Sequence, residues 1–389
     1  MFPIWLSGLY YVLIFFTCVL ILNRSEKGLD KNKSTCLRSI SVYKLKQRYI
    51  AYTIIWLIAV LRYDIGADYE NTVFDILDIV KSINYGNSVF DYITESMKEP
   101  GLFVLSFMFS WLPTPYIWVI ASYFTIFIVF LYKVLEQYNI HRWGIVVLFL
   151  SIIIFQSWDW IRQSTAMIIM LNAISYCTKQ KNKTSIIFVL ISAFFHYSSL
   201  LVIPFLLIFK RIRLNKIIMI VFLLITFILS CLGFFKSIYE QILSLVPFYG
   251  ELYMASQKFA NFDEQSYSNV PYLLNSIWFI FLISFSEEKH KPWTELLFIG
   301  SIFFMVSGGS LLLDRSVWYF TCTQLILAPM LYRDNKSKIF KFLFILFIGS
   351  HFILLSRRFF IKGELRGCVP YQTILSSEAQ KLKFRYKED

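Results

Sequence analysis

The sequence predicts an all-α protein, a polytopic transmembrane helix bundle of about ten crossings with one or two re-entrant or partial helices besides. Three observations predict it. Hydrophobic residues make up 57% of the chain and charged residues only 16%, whereas soluble domains hold about 45–50% and about 25%. Apolar runs such as 217–235 and 339–355 approach the length needed to cross a bilayer. Between such runs the loops differ in charge, some strongly basic and one strongly acidic, as the two sides of a membrane require.

In chain order, the crossings fall at 3–22, 49–61, 116–132, 143–157, 161–177, 217–235, 270–285, 294–313, 316–332 and 339–356. The first run lacks a basic flank and a small-residue cleavage site, so it reads as a retained helix and not a cleaved signal. Loop 23–48 carries Arg24, Lys27, Lys31, Lys33, Arg38, Lys44, Lys46 and Arg48 against Glu26 and Asp30, which places it in the cytoplasm. The next loop, 62–101, is then outside, and it is acidic: Asp64, Asp68, Glu70, Asp75, Asp78, Asp91, Glu95 and Glu99.

Basic loops at 133–142, 179–183, 210–216 and 333–338 belong inside by the same rule. Segment 185–209 therefore has basic clusters at both ends, which favours a re-entrant hairpin broken near His196-Tyr197-Ser198-Ser199 over a single crossing. Segment 102–112 is a second partial helix. The whole reads as one transmembrane domain over 1–356, with outer loops 62–101 and 236–269 and an extracytoplasmic tail at 357–389.

The net charge of +13 belongs to cytoplasmic loops facing anionic lipid, and no nucleic-acid motif accompanies it. The six cysteines are scattered without CxxC or Cys/His spacing, so neither zinc nor a disulfide framework is expected.

Polar groups at the ends of apolar segments carry the functional signal, because charge at membrane depth is costly and usually kept for a purpose. The first is Arg62-Tyr63-Asp64-Ile65-Gly66-Ala67-Asp68-Tyr69. Gly66 permits a sharp turn there. Asp64 and Asp68 then suit orienting Arg62, acting as a base or, more weakly, holding a divalent cation; Arg62 alone reads as a snorkelling helix-end arginine. Asp159 and Arg162 are i,i+3 on a helix and can pair, with Gln163 beside them. Arginine's planar fork equally suits phosphate oxygens.

His196, among apolar neighbours, is either a hydrogen-bonded core residue or a general base. Ser198 and Ser199 lack a nucleophile-elbow context. Asp314-Arg315 with Trp318-Tyr319 suits an interfacial turn, or a sugar face next to a phosphate. Arg62, Arg162, Arg315 and Tyr371 all fall on the outer side of this topology, with His196 pointing toward them.

Taken together, several stretches resemble the EpsG-like branch of bacterial polysaccharide polymerases, related in role to the Wzy O-antigen and capsule polymerases. They are Arg62 through Tyr69, Glu99-Pro100-Gly101-Leu102, Ile161-Arg162-Gln163-Ser164-Thr165-Ala166, Phe195-His196-Tyr197-Ser198-Ser199-Leu200, Asp314-Arg315 through Tyr319-Phe320, and Val369-Pro370-Tyr371. Two departures are Ser198-Ser199, where Ser-Ala is common, and the absence of a tyrosine in 70–74.

The resemblance implies a membrane glycosyltransferase in the bacterial cytoplasmic membrane. It would join undecaprenyl-pyrophosphate-linked oligosaccharide repeat units into O-antigen, capsule or exopolysaccharide on the outer face. A chain-length regulator and other assembly proteins would be its partners, and nucleic acid would not. No cofactor is expected, since arginines can neutralise the leaving pyrophosphate. Asp68, His196, Arg162 and Arg315 are the expected catalytic residues, with Arg62, Asp64, Tyr69, Gln163, Tyr319 and Tyr371 on the substrate. A flippase for lipid-linked oligosaccharide and a membrane O-acyltransferase are the alternatives.

Overall fold

The structure is a computed structural model, and it describes residues 4–27, 37–66, 68–85, 99–208, 214–235, 270–307, 317–357 and 371–375. The described residues are helical apart from turns, with one isolated antiparallel bridge between Arg62 and Thr373. Two compact units divide the chain: Met1–Leu200 with Ile348–Asp389, and Leu201–Phe347.

The first unit holds α1 (Ile4–Lys27), α2 (Leu37–Val60), α3 (Tyr69–Asn84), α4 (Pro100–Phe109), α5 (Pro115–Tyr138), α6 (His141–Leu150), α7 (Ile153–Asp159), α8 (Ile161–Thr178) and α9 (Asn182–Phe195). Prolines open α4 and α5 at the first helical position, where the missing N–H costs no hydrogen bond. Asn139 in the left-handed region ends α5.

At the centre lies α8, buried on almost every side, which is why its sequence shows no apolar stripe. It packs on α5 and α9. Serines of α9 lock onto its backbone: Ser185 Oγ donates to Ala173 O (2.8 Å) and Ser192 Oγ to Ala166 O (2.7 Å). From α8, Asn172 Nδ2 donates to Phe130 O on α5 at 2.9 Å. Such bonds join helices where no hydrophobic force separates one apolar surface from another.

The second unit holds α10 (Ile203–Ile208), α11 (Lys216–Cys231), α12 (Val270–Ser284), α13 (Lys291–Ser307) and α14 (Gln324–Asp334). Rings of Trp278, Phe281, Phe340 and Phe344 form its core, and Trp278 Nε1 donates to Gln324 Oε1 at 3.0 Å. A last helix, α15 (Lys338–Arg357), leads toward the C-terminal residues. Cys18, Cys177, Cys231 and Cys322 are free thiols.

Each segment expected to cross coincides at least in part with a described helix. By length and composition, two described helices suffice for a span, Trp5–Glu26 and Pro115–Tyr138. A third appears if α6 and α7 count as one broken span, bent by 63°. The bend sits at Ile152, whose φ of 64° is rare for a β-branched residue. Two readings gain detail and one needs correction. Loop 62–101 contains a helix, α3, whose buried stripe is Tyr69, Thr72, Val73, Ile76, Ile79 and Val80. The 102–112 segment starts two residues earlier, at Pro100. Asp159 and Arg162 lie on different helices, because the chain breaks at Trp160 (φ −99°, ψ 64°), so they have no i,i+3 relation. Loop 236–269 lies outside the described residues.

Candidate functional site

Three helix ends in the first unit bring charge together. Glu99 precedes Pro100 in extended backbone at the start of α4, where the helix dipole favours an anion. Arg162 is in the first turn of α8. The helix α9 stops at Phe195, and His196 follows in extended backbone (φ −162°, ψ 118°).

The three side chains meet. Arg162 Nη1 donates to Glu99 Oε2 at 2.8 Å, and Glu99 Oε1 lies 2.5 Å from His196 Nδ1. Arg162 Nη2 also reaches Asp75 Oδ2 on α3 at 3.5 Å. Glu99 is the most enclosed, its side chain 9% exposed against 27% for Arg162 and 21% for His196. Burial alone would raise the Glu99 carboxyl, but the His196 hydrogen bond and the Arg162 charge outweigh it and hold it at about 2.

Local packing sets these distances. A Cβ on Gly101 would sit 2.9 Å from the carbonyl oxygen of Phe194, so the start of α4 touches the end of α9 only because that residue is glycine. The Ser192–Ala166 bond holds α9 on α8, four residues from His196 on one side and from Arg162 on the other. On α5, Tyr123 packs its ring on Phe195, and its fully buried hydroxyl has no hydrogen-bond partner. Its electrostatic coupling to Arg162 and Glu99 puts it beside the cluster. That position is about 12 Å along α5 from Pro115.

The Arg62 turn adjoins this cluster. Arg62 is 1% exposed, and its guanidinium lies over Phe124 (4.4 Å) and Trp158 (5.7 Å). It is therefore a buried, ring-stacked arginine and not a snorkelling one. Gly66 has φ 109°, and a Cβ there would fall 2.7 Å from Trp158 O. The Asp68 backbone N–H donates to Asp159 Oδ1 at 3.0 Å. The turn is thus latched onto the end of α7, next to Arg162. Asp64 is exposed, and its carboxyl is raised by partial burial and then by Glu70. Tyr69 is buried with its ring on Tyr63.

Tyr371 is buried as well. Its N–H donates to Ser7 Oγ (2.8 Å), its hydroxyl to Ile58 O (3.0 Å), and its ring packs on Tyr10 and Tyr11. The chain around it pairs with the Arg62 turn through Tyr63 N–H to Gln372 O (3.0 Å) and Ile374 N–H to Leu61 O (2.9 Å).

Among the expected site residues, Arg162 and His196 come together, while Arg62 and Asp68 meet the end of α7 at Trp158 and Asp159, and Tyr69 packs on Tyr63 of the same turn. Gln163 is buried in α8. Tyr319 is buried in the second unit, and Arg315 lies outside the described residues. Sequence reasoning missed Glu99 and Asp75 as site residues. The available signal was an acid placed directly before the Pro-Gly that opens an apolar helix. Among the described residues no group of three or more His, Cys, Asp or Glu is arranged to hold a metal ion.

The opposite end of the unit is basic. Arg48 Nη1 reaches Glu136 Oε2 at 2.5 Å, Arg142 Nε pairs with Glu26 Oε2 at 3.1 Å, and Lys179 Nζ donates to Gln137 Oε1 at 2.9 Å. In the middle of this end, buried His141 joins Tyr52 and Glu136.

Apolar helices with outward Ile, Leu and Phe side chains, closed round a buried charged cluster, define a helical membrane protein. The chain belongs to the EpsG family, whose model matches residues 46–373. That membership points to polysaccharide biosynthesis. No curated protein and no solved structure matches the chain.

Proposed function

We propose that this protein is a membrane glycosyltransferase that polymerises undecaprenyl-pyrophosphate-linked oligosaccharide repeat units at the outer face of the bacterial cytoplasmic membrane. The observation that carries the reading is Arg162. It is a partly open guanidinium paired with the enclosed Glu99 carboxylate, with partly open His196 on the other side of that carboxylate, in a chain of the EpsG family. A leaving pyrophosphate gathers negative charge, and a fixed cation beside it stabilises the transition state. The incoming sugar hydroxyl needs a base, for which Asp68 and His196 are the candidates.

In this reading about ten helices cross the bilayer. The basic end with Arg48, Arg142 and Lys179 faces the cytoplasm, and the Arg162 end faces outward. Arg315 is assigned to the pyrophosphate, and Tyr319 to the substrate, by the sequence pattern alone. Arg62 supports the Arg162 end, with Asp64, Tyr69, Gln163 and Tyr371 assigned to the substrate. The arginines neutralise the leaving group in this reading, so no metal is required, and the polymer product goes to O-antigen, capsule or exopolysaccharide.

In a deletion strain, Arg162→Ala and Arg315→Ala abolish long polymer while each variant still reaches the membrane, and single repeat units accumulate on the lipid carrier. Electrophoresis of the surface glycan reads the outcome. Long polymer in both variants refutes the assignment of these arginines.

A further inference from the structure

We infer that Glu99 is a positioning residue that fixes His196 with its proton on Nδ1, leaving the Nε2 lone pair as the base that receives the acceptor hydroxyl proton. The inference rests on the polymerase reading for its reaction, but not for its geometry.

The geometry has three parts. Glu99 places one carboxylate oxygen on His196 Nδ1 and the other on Arg162 Nη1. An ionised carboxylate only accepts hydrogen bonds, so the shared proton sits on Nδ1. Arg162 keeps that carboxylate ionised, and Asp75 on α3 steadies Arg162 from its other nitrogen. The titratable groups facing His196 are therefore Glu99 from the start of α4 and, one step further, Arg162 from α8, Asp75 from α3 and Tyr123 from α5. Asp68, the rival base, is tethered through its backbone N–H to Asp159 Oδ1.

In the reaction, the acceptor sugar oxygen forms its bond to the anomeric carbon of the donor. The carbon–oxygen bond to pyrophosphate breaks, and its electron pair leaves on the pyrophosphate oxygen beside Arg162. The hydroxyl proton passes to His196 Nε2, and the imidazolium so formed is stabilised by Glu99. This is the arrangement in which a carboxylate orients an imidazole and favours its charged form without taking the proton itself.

The test has two readouts on the full-length chain. The first is the ¹⁵N spectrum of protein labelled in its four histidines, with His196→Gln assigning the signal. Neutral His196 is expected with a protonated Nδ1 and a bare Nε2; the opposite tautomer overturns the inference. The second is polymer formed by spheroplasts of the deletion strain carrying each variant, read beside the tautomer of the same variant. Glu99→Gln is expected to lower the rate about 100-fold. It also loses the Nδ1-protonated preference, because one amide oxygen cannot accept from both Arg162 and His196. Glu99→Asp restores both. A Glu99→Gln protein that keeps the wild-type tautomer overturns the positioning role, even if its rate falls. Wild type that makes no polymer sinks the polymerase reading instead, and the tautomer still decides the Glu99–His196 geometry separately.

Discussion

Glu99 holds two cationic partners with one carboxylate, and that double use makes it the most consequential acid in the described residues. Its carboxyl is lowered from 4.5 to about 2, despite burial that alone would raise it. A group lowered on folding contributes stability above its unfolded value and loses it as pH falls through the folded one. The contribution, about 3 kcal/mol at most at about 1.4 kcal/mol per unit, is therefore present above pH 4.5 and disappears toward pH 2. Thermal unfolding of the detergent-purified protein should show wild type losing Tm over this window more steeply than Glu99→Gln. Equal slopes would mean that the carboxylate is not held ionised by its neighbours. Other residues at this scale have narrower roles. Gly66 admits the Trp158 carbonyl, and Tyr371 ties the chain near the C-terminus to α1 and α2 with a hydrogen bond at each end of the residue.

The pairing of α8 with α9 is the element-scale feature on which the cluster depends. Two serines of α9 donate to α8 carbonyls, and each such bond between apolar helices is worth roughly 0.6 kcal/mol. Ser185→Ala and Ser192→Ala are expected to destabilise by about that amount each. Since the sites lie seven residues apart, the double variant should lose about the sum. Unfolding in mixed micelles measures it; a double variant no weaker than either single would refute independent bonds.

Much of this scale was legible. The α8 pattern begins at Ile161, and the break before Tyr197 follows from polar residues in an apolar run. The bend at Ile152 was not, because Ser151-Ile152 offers neither glycine nor proline. Helix α3 was hidden by its acids, although its buried residues keep helical spacing. Glu99 was readable as a helix start but not as a partner of Arg162, 63 positions away. A pairing of that kind exists only once α4 closes on α9 through Gly101.

At the scale of the molecule, the first unit is polarised: arginine and lysine pairs close one end, and the Glu99 cluster lies toward the other. The same helices make both ends. Arg48 and Arg62 belong to opposite ends of the α2 region, and the Glu136 and Tyr123 positions separate along α5. Loops rich in lysine and arginine are favoured in the cytoplasm, so this polarity predicts an orientation without reference to the reaction. Cysteines at two exposed sites test it in a background lacking the native thiols. Asp64→Cys, in the turn beside the cluster, should react with a membrane-impermeant maleimide in intact spheroplasts. Gln180→Cys, just beyond α8 at the basic end, should react only after the membrane is opened. Labelling of both residues from the same side would contradict passage of the unit through the bilayer between them. Labelling in the reverse sense would put the Glu99 cluster in the cytoplasm, where outer-face polymer synthesis has no access to it.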